Sequence, residues 1–477
     1  MSSKSALTLT LDRSKPDSLQ QQIGHGLKQR IQSGKVIAGA PLPSSREFAR
    51  DLGVSRNTVL AAYDQLLGEG YLESRPRSGI FVSSELANSS TFNEHGVRKE
   101  RRTQPRGRYA DEVINRPIPF RPCQPDVTLF PMSAWNRSRN RAIRRHGPGL
   151  LDYQSQFALG LPALRRELAE YLSANRGVRC TWEQIAVTSG SQQAAYLLCQ
   201  LLLKQGDRVL LENPGYPGIY SACERAGVSI RCMQIDQQGA IPPVKPASLR
   251  LIYTTPSRQF PTGSSLPLAR RLAMIEYAKR SKAWLLEDDY DSEFRYSRPP
   301  FPSMHSLDTS GHVIYIGSMS KVLFPSLRIG YMVLPFELVQ PFEALRLVVD
   351  DHGPLLDQAT LADFMAAGKF FTHIRRCRKA YAAKLETFLG VASQLNLPLQ
   401  FPYTDGGMNQ TGFFNESKTD DEAISQSLHS KGLLIPSLAR YSHKKSTPGL
   451  VFGFTAFDTK TIKSSLATVA QVLEEWT

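Results

Sequence analysis

Residues 311–335 read GHVIYIGSMSKVLFPSLRIGYMVLP. The apolar run Val313–Ile316 predicts a buried strand, and Gly317-Ser318 breaks it. Ser320-Lys321 follows, then Pro325, Arg328 and a second apolar run from Ile329 to Leu334. A lysine between two buried strands is costly unless its ammonium is paired or put to use. One reading is an amine held in a closed site, poised to form a Schiff base with a carbonyl compound. Ser318 and Arg328 would then bracket a phosphate, because a guanidinium matches phosphate oxygens geometrically. The plainer reading is a surface loop with a solvated lysine.

Working outward, strands and helices alternate from Ile118 onward. Leu164–Tyr171 is an amphipathic helix, Ala194–Leu203 an apolar one, and Leu268–Lys279 a third. Ile185–Val187, Val209–Leu211, Leu251–Tyr253 and Trp284–Leu286 are short apolar runs that predict strands. The pattern is α/β with a mostly parallel sheet. Ligands in such folds sit at the carboxyl ends of the strands, and four strand ends stand out.

After the first strand comes Thr188-Ser189-Gly190-Ser191, small polar residues that open a helix. They suit an anion on backbone N–H groups, or simply an ordinary helix cap. After the second comes Glu212-Asn213-Pro214-Gly215-Tyr216, where Tyr216 either stacks on an aromatic ring or packs. After the third comes the loop TPSRQFPTG, residues 255–263. After the fourth comes EDDYDSEF, residues 287–294, an acidic segment delivered by an apolar strand. A carboxylate there can keep a pyridine nitrogen protonated, and Tyr290 can hold a ring oxygen.

The N-terminal part is of another kind. Leu19, Ile23, Leu27 and Ile31 recur every four residues and form one helical stripe. Ser44 precedes Glu47 as a capping pair, with Phe48, Ala49 and Leu52 as an inner face. Gly53-Val54 makes a turn, and Ser55 caps a third helix whose inner face is Val59, Ala62, Tyr63 and Leu66. The exposed start of that helix carries Ser55, Arg56, Asn57 and Thr58, side chains suited to base edges and phosphates. A basic hairpin tip, Arg75-Pro76-Arg77-Ser78-Gly79, follows before Ile80-Phe81-Val82. The order implies a DNA-binding unit over residues 18–82. Residues 83–115 lack apolar periodicity and carry a basic cluster, Arg98-Lys99-Glu100-Arg101-Arg102 with Arg106 and Arg108. They read as a flexible linker of about thirty residues, either a tether alone or an added electrostatic contact with DNA.

The stretch from Leu42 to Val82 resembles the winged helix-turn-helix of GntR-type bacterial regulators. That resemblance implies DNA contact by Ser44, Arg46, Ser55, Arg56, Asn57 and Thr58, with Ser78 and Gly79 at the wing tip. Residues 116–477 resemble fold-type I aminotransferases that use pyridoxal 5'-phosphate. By motif, Lys321 is then the Schiff-base lysine, Asp288 the partner of the pyridine nitrogen and Tyr290 the neighbour of the ring oxygen. Ser189, Gly190, Ser191, Ser318 and Arg328 match the phosphate-binding positions, Tyr216 the stacking position, and Tyr153 the tyrosine that reaches a partner subunit's phosphate.

A GntR-type head on such a body is similar to the MocR subfamily, and EDDYDSEFRY, SKVLFPSLRIGY and HIRRCRKAY look like its motifs. The resemblance implies a head-to-tail homodimer that binds double-stranded operator DNA. It also implies that the body senses pyridoxal phosphate, as an aldimine on Lys321, or an amine reacting with it. Two departures stand out. The stretch Pro448–Phe454 has no arginine to clamp a carboxylate, leaving Arg440 and Arg258 as candidate effector contacts. Phe260 stands where the enzymes carry an asparagine. Both losses favour sensing over transamination, with at most a residual half-reaction; a working aminotransferase with an accessory head is the alternative.

Composition agrees. The 477 residues exceed one core, and the net charge of +15 suits a nucleic acid or an anionic cofactor. Residues 1–115 hold only a third of that excess, seventeen basic against twelve acidic residues. Six cysteines without CxxC pairs read as reduced thiols. The absence of a long apolar run or signal pattern predicts a cytoplasmic protein without a membrane segment, and no metal site is expected.

Overall fold

The computed structural model describes residue 7 and residues 9–13, 17–76, 78–84, 118–297, 301–444 and 446–476. These fall into two compact units. Most of the expected linker, with its basic cluster, lies outside the described residues, as does Arg77 of the hairpin tip.

The N-terminal unit holds helices Leu19–Gln32, Ser45–Leu52 and Arg56–Gly68, then strands Leu72–Arg75 and Gly79–Val82. The strands pair antiparallel, with Leu72 opposite Val82 and Arg75 opposite Gly79. Each helix begins at a serine, and the sequence implied Ser44 and Ser55 among them. Ser18 accepts from Gln21 N, Ser44 from Glu47 N and Ser55 from Thr58 N, satisfying donors that the first helical turn leaves free. Gly53 ends the second helix at φ 65°, a left-handed turn that costs other residues a steric clash. Ile23, Leu27, Phe48, Val59, Ala62, Tyr63 and Leu66 form the core. Phe48 stacks on Tyr63 with ring centroids 6.0 Å apart, and the Tyr63 hydroxyl donates to Pro43 O at 3.1 Å.

The C-terminal unit is built on an eight-stranded mixed sheet. Its order is Ile185–Thr188, Gly330–Val333, Val313–Ser318, Trp284–Asp289, Leu251–Thr254, Arg208–Asn213, Ser229–Asp236 and Gly239–Ala240. Gly330–Val333 runs antiparallel to both neighbours, and Gly239–Ala240 is antiparallel to Ser229–Asp236; the other pairs are parallel. The predominance of one direction matches the expectation. The inner strands are buried on both faces, which is why they read as apolar runs without alternation. Helices Pro162–Arg176, Ser191–Leu202 and Leu268–Ser281 cover the three predicted segments to within about a turn at most ends, and Pro217–Arg225 is a further helix that the sequence reading did not include.

A second layer was not legible in the sequence. The 26-residue helix Lys369–Gln394 leads to a small antiparallel sheet of Leu399–Gln400, Asn409–Phe414 and Gly449–Gly453, backed by helix Thr459–Glu474. Phe120 joins this core, in contact with Phe388, Phe452 and Phe457. Gly453 N donates to Phe120 O, and Leu434 N to Pro119 O, so residues 119–120 are pinned to the small sheet. No helix among the described residues is long and apolar enough to cross a membrane. All six cysteines are free thiols.

Candidate functional site

The carboxyl ends of the co-directional strands converge on one cavity of about 550 Å³. Lys321, Asp288, Tyr290, Tyr216, Ser191 and Arg440, all singled out from the sequence, line it. Register explains part of this convergence. Asp288 lies opposite Ile316 on the neighbouring strand, and that strand ends at Ser318, three residues before Lys321.

Asp288 is 5% exposed. Its Oδ2 accepts from the Tyr253 hydroxyl at 2.6 Å, and its Oδ1 has no partner. Burial pushes its pKa up to about 7, opposed by the Tyr253 bond. A buried carboxylate oxygen without a donor is costly by itself. Its neighbour Asp289 points into a different network. Arg176 Nε donates to Asp289 Oδ2 at 2.7 Å, and Tyr315 and Ser292 hydroxyls donate to the same oxygen. Burial raises the Asp289 pKa, yet Arg176 and these hydroxyls bring it below the usual carboxylate range. Adjacent carboxylates on one strand thus face opposite ways: Asp289 pairs with Arg176, and Asp288 lines the cavity.

Lys321 lies in the short helix Met319–Val322, and its Nζ donates to Cys123 O at 3.1 Å. Cys123 has φ 59°, and Asn409 Oδ1 accepts from its backbone N–H. An aromatic wall closes the cavity on another side. The Phe260 ring meets those of Tyr216, Tyr290 and Tyr441 edge-on, at 5.9, 5.9 and 5.1 Å between centroids. Burial raises the Tyr216 pKa to about 12.

The anion-binding candidates cluster beside it. Arg328 Nη2 donates to Ser189 O at 2.6 Å. A Cβ on Gly190 would stand 3.2 Å from Arg328 Nη2, and one on Gly330 would stand 2.7 Å from Gly190 Cα. Gly190, at φ 99°, precedes helix Ser191–Leu202, whose first N–H groups carry the positive end of the helix dipole. Ser318 caps helix Met319–Val322.

Two candidates fall elsewhere. Arg258 does not line the cavity. Its Nη1 donates to Gly406 O at 2.6 Å, its Nη2 donates to Asn409 O, and its Nε faces Asp291 Oδ2 at 3.4 Å. A Cβ on Gly407 would collide with this guanidinium. The sequence-based expectation that Arg258 faces an effector is therefore not met: the guanidinium satisfies backbone carbonyls that the loop around Gly406 leaves unpaired. Tyr153 is 85% exposed and outside the cavity.

The sequence reading missed Tyr253, Arg121, Cys123 and Tyr441 as cavity residues. Tyr253 had one signal: a tyrosine inside a fully buried strand needs a partner for its hydroxyl. Arg121 and Cys123 had none, because nearly 200 residues separate Cys123 from Lys321.

In the N-terminal unit, Ser44, Arg46, Ser55, Arg56, Asn57, Ser78 and Gly79 are exposed, and Thr58 is half-buried. Arg56 Nε donates to Ser45 Oγ at 3.2 Å, and the Ser55 and Thr58 hydroxyls lie 2.8 Å apart. The polar start of the third helix thus sits beside the start of the second, on the surface.

Comparison with known proteins bears on both units. Residues 19–82 match bacterial regulatory proteins of the gntR family, and residues 132–386 match aminotransferase class I and II. The chain is 36% identical to the probable rhizopine catabolism regulatory protein MocR of Rhizobium meliloti, over 96% of this chain and 94% of that one. It is 32% identical to the transcriptional regulator TauR of Rhodobacter capsulatus, over 88% of each. It is also 29% identical to the pyridoxine biosynthesis regulator PdxR of Corynebacterium glutamicum, over 98% of each. Among solved structures, LysN, an α-aminoadipate aminotransferase of Thermus thermophilus complexed with N-(5'-phosphopyridoxyl)-L-leucine, has a TM-score of 0.69 and 25% identity. That match covers 75% of this chain and 92% of LysN. A kynurenine aminotransferase of Pyrococcus horikoshii has a TM-score of 0.70, over 75% of this chain and 91% of that one, at 24% identity, a likeness of fold.

Pyridoxal phosphate is the cofactor of this domain type, and the residues present fit it. The open Asp288 oxygen, the lysine in the same cavity and the cradle at Gly190 and Arg328 supply partners for a ring nitrogen, an aldehyde and a phosphate. The chain belongs to the MocR type of gntR-family transcription regulators, in which a helix-turn-helix unit is joined to an aminotransferase class I and II domain.

Proposed function

We propose that the chain is a DNA-binding regulator whose C-terminal unit senses pyridoxal phosphate, or an amine that reacts with it, and thereby alters operator binding. The supporting observation is the half-satisfied Asp288 carboxylate in a cavity that also holds Lys321. When bound, the cofactor supplies an aldehyde that condenses with primary amines and a ring that stores charge while its nitrogen is protonated.

The chain's own residues do the rest. Tyr253 orients Asp288, whose free oxygen holds the proton on the ring nitrogen. Lys321, whose Nζ contacts Cys123 O, would be the amine that holds the aldehyde. Ser189, Gly190, Ser191, Ser318 and Arg328 hold the phosphate. Tyr216 packs on the ring, and Tyr290 holds its oxygen. Arg440 and Arg121, both on the cavity lining, attract the acidic group of an effector. Arg440 was a sequence candidate; Arg121 takes the place that Arg258 leaves. Ser44, Arg46, Ser55, Arg56, Asn57, Thr58, Ser78 and Gly79 face the DNA.

On this reading the head spans 18–82, the linker 83–115 and the effector domain 116–477. The protein works in the cytoplasm as a head-to-tail homodimer. The exposure of Tyr153 and Leu151 suits residues that a second copy covers. A ligand alters operator binding only through differential affinity for two arrangements of the dimer.

Reconstitution of the full chain with pyridoxal phosphate should give the long-wavelength absorbance of lysine-bound cofactor, and Lys321→Ala should abolish it. Operator affinity should differ between loaded and cofactor-free chains. No absorbance band, or equal affinity in both states, sinks the proposal. Rapid multiple turnover with amino donors and keto acids would instead favour a working aminotransferase.

A further inference from the structure

A second cleft, of about 790 Å³, shares no residue with the cofactor cavity. Parts of two motifs that the cofactor site leaves unused meet there. Ser292, Glu293, Arg295 and Tyr296, from EDDYDSEFRY, form one wall, and Arg375 and Arg378, from HIRRCRKAY, form the facing wall. Tyr171, Phe371 and Ile374 add an apolar surface between them.

Four arginines line the cleft, two of them in ion pairs. Arg176 is neutralised by Asp289, and Arg295 Nη2 donates to Asp405 Oδ2 at 3.1 Å. Arg378 Nε donates to Glu293 O. Arg375 is exposed and has no ion-pair partner among the described residues. Two buried polar atoms at the cleft are unsatisfied: Arg295 Nε and Glu293 Oε2. Glu293 is 7% exposed, and its other oxygen accepts from the Tyr171 hydroxyl at 2.6 Å. Burial, with Asp289 nearby, raises the Glu293 pKa. Unsatisfied buried groups in a folded protein call for an explanation, and a missing ligand explains both.

We propose that this cleft is a second ligand site, for a ring compound bearing one phosphate or carboxylate. Arg375 and Arg378 would hold the anionic group, since guanidinium pairs both groups well. The aromatic and aliphatic wall would hold the ring. The volume suits a small organic ligand. The site has a physical route to the cofactor pocket. Arg176 lines the cleft and is paired with Asp289, next in sequence to Asp288.

The test uses the full chain loaded with pyridoxal phosphate, in buffer free of phosphate. Phenyl phosphate, benzoate and inorganic phosphate are titrated separately by calorimetry. One ring-bearing probe should bind, and better than inorganic phosphate; whichever of the two binds more tightly identifies the anionic group. Arg375→Glu, on an exposed helical face, should weaken that binding at least about tenfold and leave the cofactor absorbance unchanged. Binding should persist in Lys321→Ala, so the result does not depend on how the cofactor pocket behaves. Failure of both ring probes to bind at millimolar concentration, or equal affinity in Arg375→Glu, overturns the proposal.

Discussion

The Tyr253 hydroxyl donates to Asp288 Oδ2 at 2.6 Å, and the other oxygen of that carboxylate has no partner. One strand therefore aims a neighbour's carboxylate and leaves half of it available. Tyr253→Phe removes the bond without removing the ring. Cofactor affinity should fall about five- to tenfold, the equivalent of one hydrogen bond of about 1 kcal/mol. Spectroscopic titration with pyridoxal phosphate measures this, and an unchanged dissociation constant would refute the orienting role of Tyr253.

The same carboxylate sets a pH dependence. Burial raises the Asp288 pKa from 3.8 to about 7 in the cofactor-free chain. The folded form then holds this proton more tightly than the unfolded form. The associated stability is complete below the unfolded value and is lost as pH rises through about 7. Glu287 and Asp291, both also raised to about 7 by burial, act in the same direction. Asp288→Asn should flatten the fall in unfolding free energy between about pH 4 and about pH 7, without abolishing it. Urea denaturation at several pH values is the check.

Arg258 is predicted to matter for stability rather than for effector choice. Arg258→Ala would leave Asp291 unpaired and free the carbonyls of Gly406 and Asn409. Breaking such a buried pair costs about 3–5 kcal/mol. Chemical denaturation should show that loss, and Arg258→Lys should recover only part of it, because an ammonium cannot fork to two carbonyls.

In the N-terminal unit, Arg56→Ala should weaken operator binding by about 1–3 kcal/mol. Gel-shift titrations against operator and scrambled DNA separate the two kinds of contact. Loss confined to the operator marks base reading, and an even loss with a shallower salt slope marks phosphate contact.

Ser55→Ala tests a dual role. Its hydroxyl accepts from Thr58 N at 3.1 Å, capping the third helix, and meets the Thr58 hydroxyl. Loss of the cap should cost about 1 kcal/mol of stability, read by thermal unfolding, together with reduced operator affinity.

What could be read from the sequence was local. Serine caps at positions 44 and 55, the turn at Gly53, and the apolar runs that became the sheet each depend on residues a few positions apart. Strand ends also carry their functional residues with them, so local pattern alone places Asp288, Lys321 and Ser191 near a common site. Tertiary structure alone decided which side chains share a pocket. Tyr253 reaches Asp288 across 35 residues, and Lys321 reaches Cys123 O across 198. Arg258 turns away to carbonyls about 150 residues downstream. The physical reason is that backbone hydrogen bonding and side-chain periodicity act over a turn or a strand. The partner of a buried polar group is chosen by whichever segment the packed core brings within about 3 Å of it.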